Sequence, residues 1–298
     1  MKFYVPELAL AILSPPQIQA TDKFGGLPWG MPVAKWPRCA HCKNSMALIA
    51  QLFHHEQRLD LGATGRCLFV FMCSTPLSEC SDTFDPEFGA NASFVLEPAE
   101  LGTGLAWPPD AQQSWPVWAV QSCGHLRPGG YGGKVWINVE ARVTTWREME
   151  DGVDPAHADA FSDPERYGDL SHETRRRAYQ KTKVGGAPCW LQEPPGLRGW
   201  AFCAQFESAM EFPPPIPAAD EIGCRVSTGG REDHRAFEPT VRRPDAPHEA
   251  CERISRSTSR VLDGTWCCSG PNYGMGMAYL FLKRNGAASP SCAFMWQC

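Results

Sequence analysis

Residues 24–30 read FGGLPWG and residues 184–190 read VGGAPCW, and this pair of stretches decides the fold. Each Gly-Gly-x-Pro is followed by an apolar run that carries one glutamine, MALIAQL with Gln51 and WAFCAQF with Gln205. Each half then holds a strand-like run, LFVFMC at 68–73 and AYLFLKR at 278–284. Three landmarks in the same order mark two copies of one supersecondary unit. Both alternating faces of LFVFMC are apolar, as in a strand buried on two sides. KVWINVEARV at 134–143 puts Val135, Ile137 and Val139 on one face, which reads as a half-exposed strand. The terminal AFMWQC at 293–298 is too apolar to fray and reads as a final strand.

Working outward, 27 glycines and 27 prolines punctuate the chain and favour short strands and loops over long helices. The expected fold is α+β and mostly β: two fused internal repeats of a β-sheet unit, with a long irregular insertion. Residues 1–145 form the first repeat and 184–298 the second. Residues 146–183 are a partly helical connector, with Arg175-Arg176-Arg177 on a solvated helix face. The insertion covers about 207–260, where Pro213–Pro215 and Gly229-Gly230 forbid regular structure and a short helix starts near Asp245.

The first repeat also carries four cysteines with metal-ligand spacing. Cys39 and Cys42 lie in WPRCAHCKNSM, and Cys73 and Cys80 in LFVFMCSTPLSEC. A CxxC puts two thiolates on one tight turn, and a second pair flanking a short loop completes a tetrahedral S₄ shell around zinc. Such a shell has no open position, so the zinc is structural. Cys67 shares strand parity with Cys73, but six residues at about 3.3 Å rise separate the two by roughly 20 Å. One ion with bonds near ~2.3 Å cannot take both, so Cys67 is a core residue. His41, inside the CxxC, points away from the metal. Cys267, Cys268, Cys292 and Cys298 read as mostly core.

Composition limits the function. The chain has 298 residues, 43% of them hydrophobic, with 11 Trp and 15 Phe, enough for a sizeable core. A net charge of −5 argues against a general nucleic-acid or anionic-membrane surface. No run reaches the roughly 18 apolar residues of a spanning helix. Pro6 and Glu7 interrupt the apolar start, so it is not read as a signal peptide. In a reducing cytosol the 14 cysteines are then metal ligands or small buried hydrophobes. His54-His55-Glu56 has the residue types of a zinc deaminase in the reverse order, and both histidines read as surface residues of a turn. The glycine cluster 128–134 has Pro128 and Val135 where a Walker loop needs Gly and Ser or Thr, so it reads as a hairpin. Cys123 and His125 fall in a loop, and no nucleophile–base constellation stands out.

These residues resemble the YwqG-like family of bacterial proteins, whose pattern is a GG-x-P near the start of each half, a Gln after an apolar strand, and a last strand ending near W-Q-C. KVGGAPCWLQ at 183–192 is the closest match, and 201–207 and 272–281 follow in the family's order. The family often has Asp where this chain has Met275. The first half is similar to the programmed cell death protein two family at Trp36, Pro37, Cys39, Cys42, Gln51, Phe71, Cys73 and Cys80. That resemblance implies the same four zinc ligands and a chaperone of a nascent ribosomal protein. The YwqG-like resemblance implies an immunity or adaptor role, and neither carries over a catalytic residue. The expectation is a cytoplasmic, non-enzymatic, zinc-stabilised module that binds another protein, a toxin or a nascent client. An enzyme acting in the cleft between the repeats is the alternative.

Overall fold

Most apolar runs of the sequence become strands. The structure is a computed structural model that describes residues 1–10, 19–73, 82–106, 108–109, 141–197, 199–207, 209–212, 236–237, 257–258, 260–262, 265–269, 276–286 and 288–298. In chain order these hold β1 (Lys2–Leu10), β2 (Lys23–Phe24), β3 (Ala47–Phe53), β4 (Cys67–Met72), β5 (Asn91–Leu96) and β6 (Ala141–Glu150). Two short helices follow, α1 (Pro164–Asp169) and α2 (His172–Arg176). Asp163 caps the first by accepting from the Glu165 and Arg166 amides, and Ser171 caps the second by accepting from Thr174. Next come β7 (Lys183–Gly185), β8 (Ala201–Glu207), β9 (Ala209–Phe212), β10 (Ala236–Phe237) and β11 (Ser257–Thr258). The last are β12 (Arg260–Leu262), β13 (Thr265–Ser269), β14 (Met277–Asn285) and β15 (Ala288–Gln297). The 207–260 segment and the Asp245 helix lie largely outside the described residues. Among those residues, no helix is long and apolar enough to cross a membrane.

Ten strands join in one antiparallel sheet, ordered β15-β14-β8-β7-β1-β6-β2-β3-β4-β5. Its two edges meet, so the sheet curls into a near-barrel. Ser289 Oγ on β15 donates to Glu97 Oε1 just after β5 at 2.5 Å, and the Trp296 indole donates to Thr83 Oγ1 at 3.1 Å. Closure of this kind covers edge strands that would otherwise invite intermolecular pairing. The protein is mostly β, as its sequence implies, and the terminal apolar run does pair as the last strand.

Strand alternation divides the core in three. Leu68, Val70 and Met72 of β4 and Ala278, Leu280 and Leu282 of β14 share the central cluster with Phe24, Phe206 and Phe294. The opposite faces serve two outer clusters. Phe69 and Phe71 pack with Met31, Trp36 and Cys39, while Tyr279 and Phe281 pack with Phe161 and Trp190. A strand with apolar residues on both faces needs cover on both, and each of these two has it.

The two Gly-Gly-x-Pro stretches make matching contacts. Lys23 pairs with Gln51 and Lys183 with Gln205 across the sheet. The Gln51 side chain accepts from the Trp29 amide at 2.7 Å and donates to Thr21 O; that of Gln205 accepts from the Cys189 amide at 2.9 Å and donates to Lys181 O. β3 bulges between Leu48 and Ala50, and the β8–β14 ladder shifts register between Leu280 and Phe281. Each Gly-Gly has positive φ at both positions, +65° and +69° at Gly25 and Gly26, +80° and +70° at Gly185 and Gly186. Residues with a Cβ rarely adopt that backbone. At Gly186 an added Cβ would also lie 2.8 Å from Asp151 Oδ2. The turn folds the lysine ahead of it onto the carbonyl four residues on: Lys23 Nζ donates to Leu27 O, and Lys183 Nζ to Ala187 O at 2.5 Å.

The halves are interleaved at the centre of the sheet. β1 pairs with β6 and with β7, and β6 pairs with β1 and with β2. β1 of the first half therefore pairs beside the second Gly-Gly stretch, and β6, which runs past residue 145, pairs beside the first. β6 runs through residues 145 and 146, so the expected repeat boundary falls inside one strand.

Lys183 is fully buried, 4.0 Å from Asp151 Oδ2 and 5.0 Å from the centre of the Phe3 ring. Burial lowers its pKa to about 8, against the opposing pull of Asp151. The unfolded value is 10.5. Between the two pH values the unfolded chain binds the extra proton, so this group makes stability rise with pH across that window. Relative to Lys183→Met, the wild type should gain on the order of 2–3 kcal/mol between pH 8 and pH 10.5. Urea unfolding of both proteins at the two pH values measures this, and parallel pH profiles would show that the ammonium is not desolvated.

Candidate metal centre

The site starts with a turn closed by its own backbone. Arg38 and Ser45 form a bridge, the Cys39 amide donates to Asn44 O at 3.0 Å, and the Lys43 amide donates back to Cys39 O at 3.0 Å. Lys43 takes the left-handed conformation, φ 62°, which lets the chain reverse directly after Cys42. Trp36 locks this turn onto β4. Its indole donates to Met46 O at 3.0 Å, and its ring meets Phe71 edge to face at 5.6 Å.

Cys73 arrives from the end of β4, where its amide donates to Ala90 O at 2.8 Å. The Ala40 amide, in the middle of the CxxC, donates to Gly89 O at 2.8 Å and ties the turn to the same loop. Gly89 has φ +69°, and a Cβ there would sit 2.8 Å from Ala40 Cβ, so only glycine permits this approach. The Sγ atoms of Cys39, Cys42 and Cys73 all lie within 4.8 Å of one another, and Cys42 and Cys73 are 3.5 Å apart. A disulfide needs about 2.05 Å. Bonds of about 2.3 Å at the tetrahedral angle place sulfurs roughly 3.8 Å apart. The three thiols fit a shared metal ion. Cys39 and Cys73 are buried and Cys42 half-buried.

Three of the four expected ligands are thus brought together; the fourth, Cys80, lies outside the described residues. Among those residues no histidine or carboxylate joins the three thiols. His41 is engaged elsewhere, with Nε2 3.1 Å from Phe88 O and its ring stacked on Phe88 at 6.2 Å. Cys67 is buried in the outer cluster and does not join the group, and burial raises its thiol pKa well above the usual value.

Two expectations need correction. His55 is exposed, but the His54 side chain is only 7% exposed, and its Nδ1 accepts from the Leu61 amide at 3.0 Å. A period-two strand exit carries His54 inward, which the sequence pattern alone did not weigh. Cys298 is exposed rather than core, because β15 stops at Gln297, and Cys292 is half-buried. The side chains of Cys267 and Cys268 lie outside the description, as do Cys123, His125, Met275 and the 128–134 cluster; of 134–143, only the β6 residues from Ala141 are described.

Sequence reading missed a half-buried ion pair. Asp22 accepts from the Phe53 amide, from the Arg58 guanidinium at 2.6 Å and from the Trp146 indole at 2.8 Å. For the separate Lys183–Asp151 pair a signal was present, since a lysine stands two residues before each Gly-Gly. Chemically, the buried thiols Cys203 and Cys292 are poor nucleophiles. Burial pushes the Cys203 thiol up, and that of Cys292 up to about 12, so both stay protonated at neutral pH. No protein-family model matches the chain, and no curated protein matches it.

Proposed function

We propose that this chain is a non-enzymatic module that binds another protein, with zinc held by Cys39, Cys42, Cys73 and Cys80 as a structural brace. The observation that carries this reading is the loop fastened to the CxxC turn. Phe84 and Phe88 on it are 44% and 49% exposed, and Phe88 stacks on His41 of the turn itself. Large aromatic side chains held in water on a rigid support are favoured anchors of protein interfaces. A closed S₄ shell would give that support and no chemistry of its own.

The matching contacts of the two Gly-Gly-x-Pro stretches support a duplicated unit, and with it the YwqG-like resemblance. On that resemblance the module is a cytoplasmic immunity, adaptor or client-chaperone protein, and its partner is a toxin or a nascent chain. Neither nucleic acid nor a membrane is its ligand. The test is affinity purification of the tagged native protein, followed by the same experiment with Phe84→Ala/Phe88→Ala. The expected result is one partner enriched stoichiometrically with the wild type and reduced at least tenfold with the variant. A partner retained undiminished by the variant would remove the aromatic loop from the reading. Turnover of a small molecule with no bound protein would replace it with the enzyme reading.

A further inference from the structure

A cavity of about 400 Å³ opens between α1, α2 and the 189–193 segment, beside the outer cluster of Phe161 and Trp190 rather than the one that holds Cys39 and Cys73. Its lining includes His172, Arg175 and Arg176, one carboxylate, Glu193, and the side chain of Trp190. We propose that this cavity binds a small anionic ligand, a carboxylate or phosphate joined to a body of several more heavy atoms.

The charges are the first reason. In a chain of net charge −5, two adjacent arginines face the same hollow. Neither has a carboxylate partner among the described residues, whereas Arg177 is taken by Glu173 at 2.7 Å and by Gly152 O at 3.3 Å. Arg175 is also held in place. Its Nε donates to Leu170 O at 3.0 Å, and its guanidinium lies 5.2 Å from the centre of the Tyr167 ring. A guanidinium oriented in this way offers its remaining N–H groups as a fork, which matches carboxylate and phosphate oxygens in pairs.

Rigidity and size are the second. The Trp190 indole donates to Phe161 O at 2.6 Å, and its ring lies 4.3 Å from that of Tyr279, whose hydroxyl donates to Cys189 O at 2.7 Å. A wall built this way costs little ordering entropy on binding. The volume is in the range of small-ligand pockets and far larger than a bare anion requires. Burial raises the pKa of the Cys189 thiol in the wall, so the pocket suits binding and not covalent chemistry.

Calorimetric titration of the full chain with citrate and, separately, with adenosine monophosphate tests the proposal. Saturable binding of at least one probe is expected near ~1 mM or tighter, the scale of two charge-assisted contacts. Citrate alone would assign a carboxylate ligand and the nucleotide alone a phosphate ligand; binding of neither overturns the proposal. Arg175→Gln/Arg176→Gln should weaken binding at least tenfold, and Arg177→Gln should leave it unchanged. Equal weakening by Arg177→Gln would mean a general charge effect and overturn the site. Wild-type amide spectra provide a readout independent of the variants' folding: shifts must centre on Tyr167, Trp190 and Leu191, and shifts confined elsewhere refute the cavity.

Discussion

Reduced, purified protein is expected to carry one zinc per chain, and Cys39→Ser should hold less than a tenth of it. The cost in stability should be about 4 kcal/mol or more, in the range that marks loss of a metal rather than of a single contact. The reason lies in what the thiols join. The CxxC turn, the end of β4 and the loop at Gly89 and Ala90 are tied by hydrogen bonds such as Ala40 N to Gly89 O, but their sulfurs crowd together at 3.5 to 4.8 Å. Cys42 is half-buried and Cys39 and Cys73 are buried, and a thiol is itself only a weak donor, so a metal bond adds far more than a thiol–thiol contact. In zinc-finger peptides the metal contributes on the order of 10–16 kcal/mol, and a protein with a separate central core should depend on it less. Chelation should therefore loosen the outer cluster around Trp36 and Phe71 first, leaving the central cluster of Phe24, Phe206 and Phe294 folded. Cys67→Ser is the control, expected to lose stability but keep its zinc. Cys80→Ser tests the fourth ligand. Metal analysis well below one ion per chain, or full zinc in Cys39→Ser, would remove the site.

The second large effect is expected from cutting the chain. A fragment of residues 184–298 should give no cooperative unfolding transition, and neither should 1–145. The first loses β1, whose Phe3 and Tyr4 pair with Gly185 and Val184, so β7 is left with an open edge. The second cuts β6 after residue 145, removing the residues that pair with Lys2 to Pro6. Each fragment also exposes its half of the central cluster, which draws on both. A cut between α1 and α2 is different, because it severs no strand of the ten-stranded sheet. Fragments 1–170 and 171–298, expressed together, should associate and recover a native-like melt. Fragment 184–298 showing a cooperative melt and dispersed amide resonances on its own would mean that the interleaving of β1 and β6 does not govern folding.

How far such behaviour was legible in the residues depends on the range of the forces involved. Gly25-Gly26 and Gly185-Gly186 declare their turns because a positive φ is a property of one residue. The Cys39–Cys42 turn is legible for the same reason: its closing bonds span four or five residues, from Cys39 to Lys43 and Asn44. The strands β3, β4, β8 and β14 follow from apolar runs whose two faces both need cover.

Other features needed the tertiary structure. That β1 pairs with β6 and β7, and that Ser289 meets Glu97 across 192 residues, depends on which of many strand pairings buries the most surface. No window of sequence encodes that choice. The inward turn of His54, the exposure of Phe88 and the facing of Arg175 and Arg176 into a cavity are likewise settled by what packs opposite them. Arg175, Arg176 and Arg177 read alike in sequence; only the neighbouring Glu173 and the hollow beside Trp190 separate a paired surface charge from two that face a cavity. Local backbone chemistry was thus determined residue by residue, while side-chain roles awaited the long-range packing that gives each group its solvent, its partner or neither.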